Sequence, residues 1–159
     1  YYTLSASNGN FTAQYNLGIW FYEGKVVKKN VEKAIKYFTD SAKQGFFLSQ
    51  YNLARIYQDD PNVITDIPKS LYYYKLAADP KKGNYVKAQF ILGKIYIEGK
   101  ITKQDIKLAI YYYELAANQH HEHALNQLAN LYLNGQYVEQ DIPKAIKYFE
   151  AAASKLLPE

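Results

Sequence analysis

The chain contains no cysteine. That excludes a disulfide framework, thiolate catalysis and thiolate metal ligation, and it leans toward an intracellular compartment, where disulfides are rare. Arginine is almost as scarce, with Arg55 the only one. Bidentate recognition of phosphate or guanine favours arginine, so no nucleic-acid surface is expected, although the net charge is +4 and the pI is near 9.0. The lysines that supply the charge are scattered among acids. No apolar run approaches the roughly eighteen residues a membrane span requires. The opening residues, YYTLSASNGN, lack a basic end followed by an apolar stretch. A soluble chain without membrane insertion is expected.

What is present is a repeated apolar phrase. AQYNLGIWFYEG begins at Ala13, SQYNLARIYQDD at Ser49, AQFILGKIYIEG at Ala88 and ALNQLANLYLNG at Ala124. The four starts are thirty-six, thirty-nine and thirty-six residues apart, a fixed period with one three-residue insertion. Such self-similarity signals a solenoid, whose unit is too small to bury its own apolar face and relies on its neighbours. With 159 residues, 48% hydrophobic and 21% charged, the chain is globular in composition and fits one ordinary domain.

Each unit holds two helical patterns. In the first, helix A, Ala13, Leu17, Trp20 and Phe21 share one side at 100° per residue. The residue after the leucine is small throughout: Gly18, Ala54, Gly93 and Ala129, as expected where two helix backbones approach closely. Gly24, Gly99 and Gly135 stand where a left-handed C-terminal stop is needed. The second pattern, helix B, opens with Asn30, Asp66, Asp105 or Asp141, each able to cap the first turn. Pro68 and Pro143 fall where no intrahelical N–H is lost. Its buried stripe runs through Ala34, Tyr37, Phe38, Ser41 and Ala42, echoed by Ala145, Tyr148, Phe149, Ala152 and Ala153.

The composite A-x-Y-x-L-G-x-x-Y-x-x-G, followed by D-x-x-K-A-x-x-Y-x-x-A-A, closely resembles the Sel-one-like repeat family, a relative of the tetratricopeptide repeats. The resemblance covers nearly the whole chain. It implies an all-α, right-handed superhelix of antiparallel helix pairs, serving as a scaffold for protein complexes. Residues 1–10 then form the end of a preceding helix B, because YYTLSASNG aligns with YFTDSAKQG at Tyr37 to Gly45. Repeats follow at 11–46, at 47–85 with the insertion near 79–84, at 86–121 and at 122–159, in one solenoid domain. The closing AAASKLLPE is not an obviously polar cap, so the chain reads as an excerpt of a longer array or as one that self-associates through its ends.

Specificity in a scaffold belongs where the repeats differ. The side of helix A opposite its core stripe carries Tyr15, Ile19 and Tyr22, then Tyr51, Arg55 and Gln58, then Phe90, Lys94 and Ile97, then Asn126, Asn130 and Leu133. In related tetratricopeptide folds helix A lines the concave groove, so these twelve residues are the candidate partner site. The column Tyr15, Tyr51, Phe90 belongs to the family pattern, and packing against the next repeat accounts for it. Ile19, Arg55, Lys94 and Asn130 share no chemistry, and folding gives no reason for two cations. They suit an extended or helical peptide with an acidic group. The second repeat departs most. Asp60 and Pro61 replace the glycine and its successor, so its turn is built differently. The extra residues lengthen the loop near Pro80 and Gly83, either as a tolerated insertion or as a change of superhelical pitch.

Catalytic or metal chemistry has little to draw on. His120, His121 and His123 are the only histidines; they fall in a predicted surface loop beside Glu122, without the H-E-x-x-H spacing that puts two ligands on one helical face. Any serine–histidine mechanism would have to be built there, with no nucleophile elbow. Asp59, Asp60 and Asp66 lack the pattern of a calcium loop. Of the tyrosine triplets at 72–74 and 111–113, the middle members Tyr73 and Tyr112 match the core column of Tyr37 and Tyr148. No metal, cofactor or catalytic residue is assigned. The expected function is a non-catalytic protein-interaction scaffold or adaptor that binds a peptide or partner protein. One alternative is a nucleic-acid-binding helical array, since pentatricopeptide units have nearly this length. Another is the hydrolase or β-lactam-binding activity linked with a cysteine-rich secreted branch of the resembled family, whose paired cysteines are missing here.

Overall fold

The computed structural model describes residues 2–154, which hold nine helices and no strand. Tyr1 and the closing 155–159, on which part of the reading of the two ends rests, lie outside the described residues. The chain divides into two compact units, Tyr1–Tyr85 and Val86–Glu159, with the division directly after the insertion.

The first unit contains α1 (Tyr2–Ser7), α2 (Phe11–Glu23), α3 (Val31–Lys43), α4 (Phe47–Asp59) and α5 (Ile67–Ala78). Helices α2 and α3 pair as a hairpin, as do α4 and α5, while α1 packs on α2 and α3 on α4. The second unit contains α6 (Val86–Glu98), α7 (Ile106–Ala117), α8 (Glu122–Asn134) and α9 (Ile142–Ala153), paired α6 with α7 and α8 with α9, with α7 against α8.

Capping accounts for where the helices begin. Asn30, Asp66, Asp105 and Asp141 each accept the backbone N–H three residues on, at 2.8 to 3.0 Å. The same four residues donate their own N–H to the carbonyls of Phe21, Tyr57, Tyr96 and Tyr132, at 2.8 to 3.0 Å. One residue thus starts helix B with its side chain and ties it back to helix A with its backbone N–H. At the other end of helix A, Gly24 and Gly135 adopt φ of 73° and 63° and return their N–H to Trp20 and Leu131.

Repeat two reaches the same closure by another route. Asp60 is extended at φ −74°, ψ 123°, and its carboxylate accepts the Asn62 N–H at 2.8 Å and the Tyr22 hydroxyl at 2.9 Å. In the inserted loop, Asp79 O accepts from Lys82 and Asn84, and Tyr85 N–H returns to Ala77 O. A Cβ on Gly83 would lie 2.5 Å from Ala77 O, so this turn is closed to any larger residue.

The core is built from rings resting on small residues. Phe38 and Tyr113, at 0% and 1% exposure, lie over Gly18 and Gly93, where an added Cβ would come within 2.6 and 2.5 Å of the ring. The close partner of each glycine is therefore an aromatic ring and not, as the small residues alone suggest, a second backbone. A second ring layer repeats four times: Phe21 on Tyr37, Tyr57 on Tyr73, Tyr96 on Tyr112 and Tyr132 on Tyr148, at 5.7 to 6.1 Å and within 15° of parallel. Lysines cover three of these stacks, Lys33 over Phe21, Lys69 over Tyr57 and Lys144 over Tyr132. Fully burying a ring such as that of Phe38 contributes roughly 1.5–3 kcal/mol. Seven of the eighteen tyrosines stand in these stacks.

Glutamines stitch the layers. Gln14 and Gln50 donate to the carbonyls of Ala6 and Ala42, and Gln44 donates to Gln14 Oε1 at 2.8 Å. In the second unit Gln119 donates to Gln89 Oε1 at 2.7 Å. One period from Gln44, the matching position is Pro80, which has no amide to offer. Gln50 Oε1 is buried without a donor among the described residues.

Candidate functional site

The twelve candidate residues fall six to each unit, and the structure gives their columns different surroundings. In the first column, Tyr15 packs against Phe38 at 6.0 Å and Phe46 at 5.2 Å. Tyr51 packs against Tyr74 at 5.9 Å and Tyr85 at 5.0 Å. Phe90 packs against Tyr113 at 5.9 Å and His121 at 4.7 Å. Each ring is half-buried between the buried ring of its own helix B and a ring standing just before a helix A. That last column, Phe46, Tyr85 and His121, was not read from the sequence. Its signal is the spacing, which repeats the thirty-nine and thirty-six of the units themselves. Asn126, half-buried, continues the column without a ring.

In the second column Ile19 packs into the first unit's core around Phe38 and Leu53. Arg55 is exposed, its guanidinium 5.9 Å from the Tyr51 ring. Lys94 and Asn130 are exposed, and Lys94 makes no hydrogen bond or ion pair among the described residues. In the third column Tyr22 is committed by its hydroxyl to Asp60, and Ile97 packs against the second unit's core. Gln58 donates to Asp59, while Leu133 is exposed.

The first unit's share of this face is electrostatically organised. Burial alone would raise the Asp60 pKa, but the Asn62 N–H, the Tyr22 hydroxyl, the Asn62 amide and the Lys29 charge together hold it below the ordinary carboxylate value. Tyr22 is pushed up by burial first, then by its bond to Asp60 and the carboxylate charge, with Arg55 opposing. Burial likewise raises Tyr74 and Tyr85, and Arg55 again acts against it. Arg55 is thus the one cation whose charge acts on all three of these tyrosines.

The histidines are placed differently from the surface loop expected. His121 caps α8, its Nδ1 accepting the Ala124 N–H at 3.3 Å, and Glu122 and His123 lie in the first helical turn. His120 takes a left-handed φ of 57°. Among the described residues no three His, Cys, Asp or Glu side chains converge in a metal-holding group.

The family model described as Sel1 repeat matches residues 12–46, 48–79, 86–121 and 122–155. The chain belongs to the Sel1 repeat family. Its repeats are generally protein-interaction scaffolds and typically non-catalytic. Among solved structures, the Sel1-like fold of c5321, a protective antigen of uropathogenic Escherichia coli strains, aligns at 26% identity and TM-score 0.87, over 97% of this chain and 32% of that one. A Sel1 repeat protein from Oxalobacter formigenes aligns at 28% identity and TM-score 0.80, over 92% of this chain and 59% of the other. This chain therefore spans about a third and three fifths of those relatives. The immunity protein Pa5087 of Pseudomonas aeruginosa, at 22% identity and TM-score 0.54, shares the fold. Comparison with curated protein sequences returns no match. The Sel1 helices are short, and among the described residues none is long and apolar enough to cross a membrane.

Proposed function

We propose that this Sel1 repeat chain is a non-catalytic scaffold that binds a protein or peptide through the divergent side of its A helices. The observation that carries the reading is the contrast between columns. Tyr15, Tyr51 and Phe90 are engaged by neighbouring rings, whereas Arg55 and Lys94 are exposed cations at positions that folding does not require to be charged. Apolar side chains beside a cation suit a peptide segment that carries an acidic residue. Ile19 and the edge of Tyr22 supply the apolar contact in the first unit, and Ile97 with Leu133 supplies it in the second.

The test is selection from a displayed random peptide library on the intact chain and on Arg55→Ala/Lys94→Ala. The expected outcome is enrichment of Asp- or Glu-bearing peptides on the parent chain and its loss on the double variant. Equal enrichment on both proteins removes this face from consideration.

A further inference from the structure

The half-buried ring of helix A, the buried ring of helix B and the ring before the next helix A form a triad in three repeats. It is Tyr15, Phe38 and Phe46 in repeat one, Tyr51, Tyr74 and Tyr85 in repeat two, and Phe90, Tyr113 and His121 in repeat three. Repeat two alone carries three phenols. Packing does not call for them, because each position is held by a phenylalanine in another repeat: Phe90 matches Tyr51, Phe38 matches Tyr74 and Phe46 matches Tyr85. The all-tyrosine triad coincides with Arg55, the chain's one arginine, whose guanidinium stands over the Tyr51 ring at 5.9 Å.

Among the described residues, none of these four side chains makes a hydrogen bond or an ion pair. The two acids that follow Arg55 on the chain are engaged elsewhere, Asp59 accepting from Gln58 and Asp60 from Tyr22, each at 2.9 Å. Tyr74 is the telling member. It is only 1% exposed, and a phenol so deep ordinarily has a partner. Its hydroxyl is nevertheless not sealed in, since the enclosed side-chain atoms without a partner among the described residues are Gln50 Oε1 and Gln58 Oε1. An unspent donor therefore opens to solvent from within the core. The Arg55 charge reaches Tyr74 and Tyr85, and Tyr51 lies against both rings.

We propose that Arg55 and the hydroxyls of Tyr51, Tyr74 and Tyr85 form the subsite that takes the side-chain carboxylate of an aspartate or glutamate in a bound peptide. The inference rests on the reading of the divergent A-helix side as a peptide face, and it gives the acidic group its receptor. The donor set suits a carboxylate. Its two oxygens offer about four acceptor sites, of which a guanidinium fork fills two and hydroxyls the others. A phosphate would bring nearly two negative charges to a site with one cation. Repeat three offers no such set, because Lys94 stands one turn from Phe90, whose triad holds the single phenol of Tyr113.

The probe is N-acetylglutamate α-amide, whose one carboxylate is the side chain, titrated into the 15N-labelled intact chain. The readout is the Arg55 Nε–H resonance, unambiguous in a chain with one arginine. A saturable shift with a roughly millimolar Kd is expected for so small a ligand. Tyr51→Phe/Tyr74→Phe/Tyr85→Phe should weaken it roughly tenfold while the melting curve stays in place, since each phenylalanine is what another repeat already carries. If the triple variant melts earlier, Tyr85→Phe alone serves, with about twofold weakening expected. N-acetylglutamine α-amide should leave the resonance unmoved, inorganic phosphate should bind more weakly, and Lys94→Ala should change nothing. No shift, an equal response to the glutamine amide, tighter binding of phosphate, or affinity unchanged by the phenylalanine variants would each overturn the proposal. Failure of the underlying reading looks different: equal peptide enrichment on the parent chain and on Arg55→Ala/Lys94→Ala.

Discussion

Tyr51 and Arg55 stand one turn apart on α4, and their surroundings differ in kind. Tyr51 is held by Tyr74 on its own hairpin and by Tyr85 at the end of the inserted loop. Arg55 is exposed, with its guanidinium over the Tyr51 ring at 5.9 Å from the centroid. Among the described residues the same division holds in repeat three, with Phe90 held and Lys94 exposed, whereas in repeat one Ile19, one turn after the held Tyr15, packs into the core. The pair shows how a repeat separates its tasks. Positions that recur are consumed in stacking, and the position one turn away is left to vary.

The comparison is broken most severely by removing the ring beneath the recurring column. Phe38→Ala deletes the side chain on which Tyr15 rests, and leaves a cavity against Gly18 and Leu53. Chemical denaturation should show a loss of about 3–5 kcal/mol, the range of buried Phe→Ala changes. A smaller effect is expected where the third column is tied down. Asp60→Asn weakens the bonds from Tyr22 and Asn62 and should cost about 1 kcal/mol near neutral pH. The pH dependence has a definite sign. Because the folded-state pKa of Asp60 is lowered, its contribution is fully present above the unfolded value of about 3.9 and is lost as pH falls through the folded one. Melts of the two proteins should therefore differ by a constant amount above pH 5 and converge below pH 4; a gap that persists in acid would assign the effect to packing instead.

The helices, their order and their caps were legible because each obeys a local rule. A period of thirty-six, a short polar residue before helix B and a glycine after helix A need no tertiary knowledge, and Asn30, Asp66, Asp105, Asp141, Gly24 and Gly135 all sit as such rules require. What escaped depends on neighbours. In the tyrosine triplets the repeat alignment assigned only the middle members, Tyr73 and Tyr112, to the core column, and the first members, Tyr72 and Tyr111, are exposed. The structure buries the third members, Tyr74 and Tyr113, almost completely and lays the middle ones flat on helix A. Phe46 and Tyr85 were invisible for the opposite reason: the position before a helix is ordinarily read for a polar cap, and rings there act through packing. The candidate site was legible only as a set of divergent positions, since the commitment of Tyr22 to Asp60 joins residues 38 apart in sequence.

The most direct test of this division of labour is a pair of thermal melts, Tyr51→Ala and Arg55→Ala, each against the parent chain. Tyr51→Ala should lower stability by about 1–3 kcal/mol, at roughly 2–4 °C per kcal/mol for a chain of this size, while Arg55→Ala should stay within about 0.5 kcal/mol. Equal destabilisation by the two changes, or a larger loss from Arg55→Ala, would show that the varying column is structural and contradict the account.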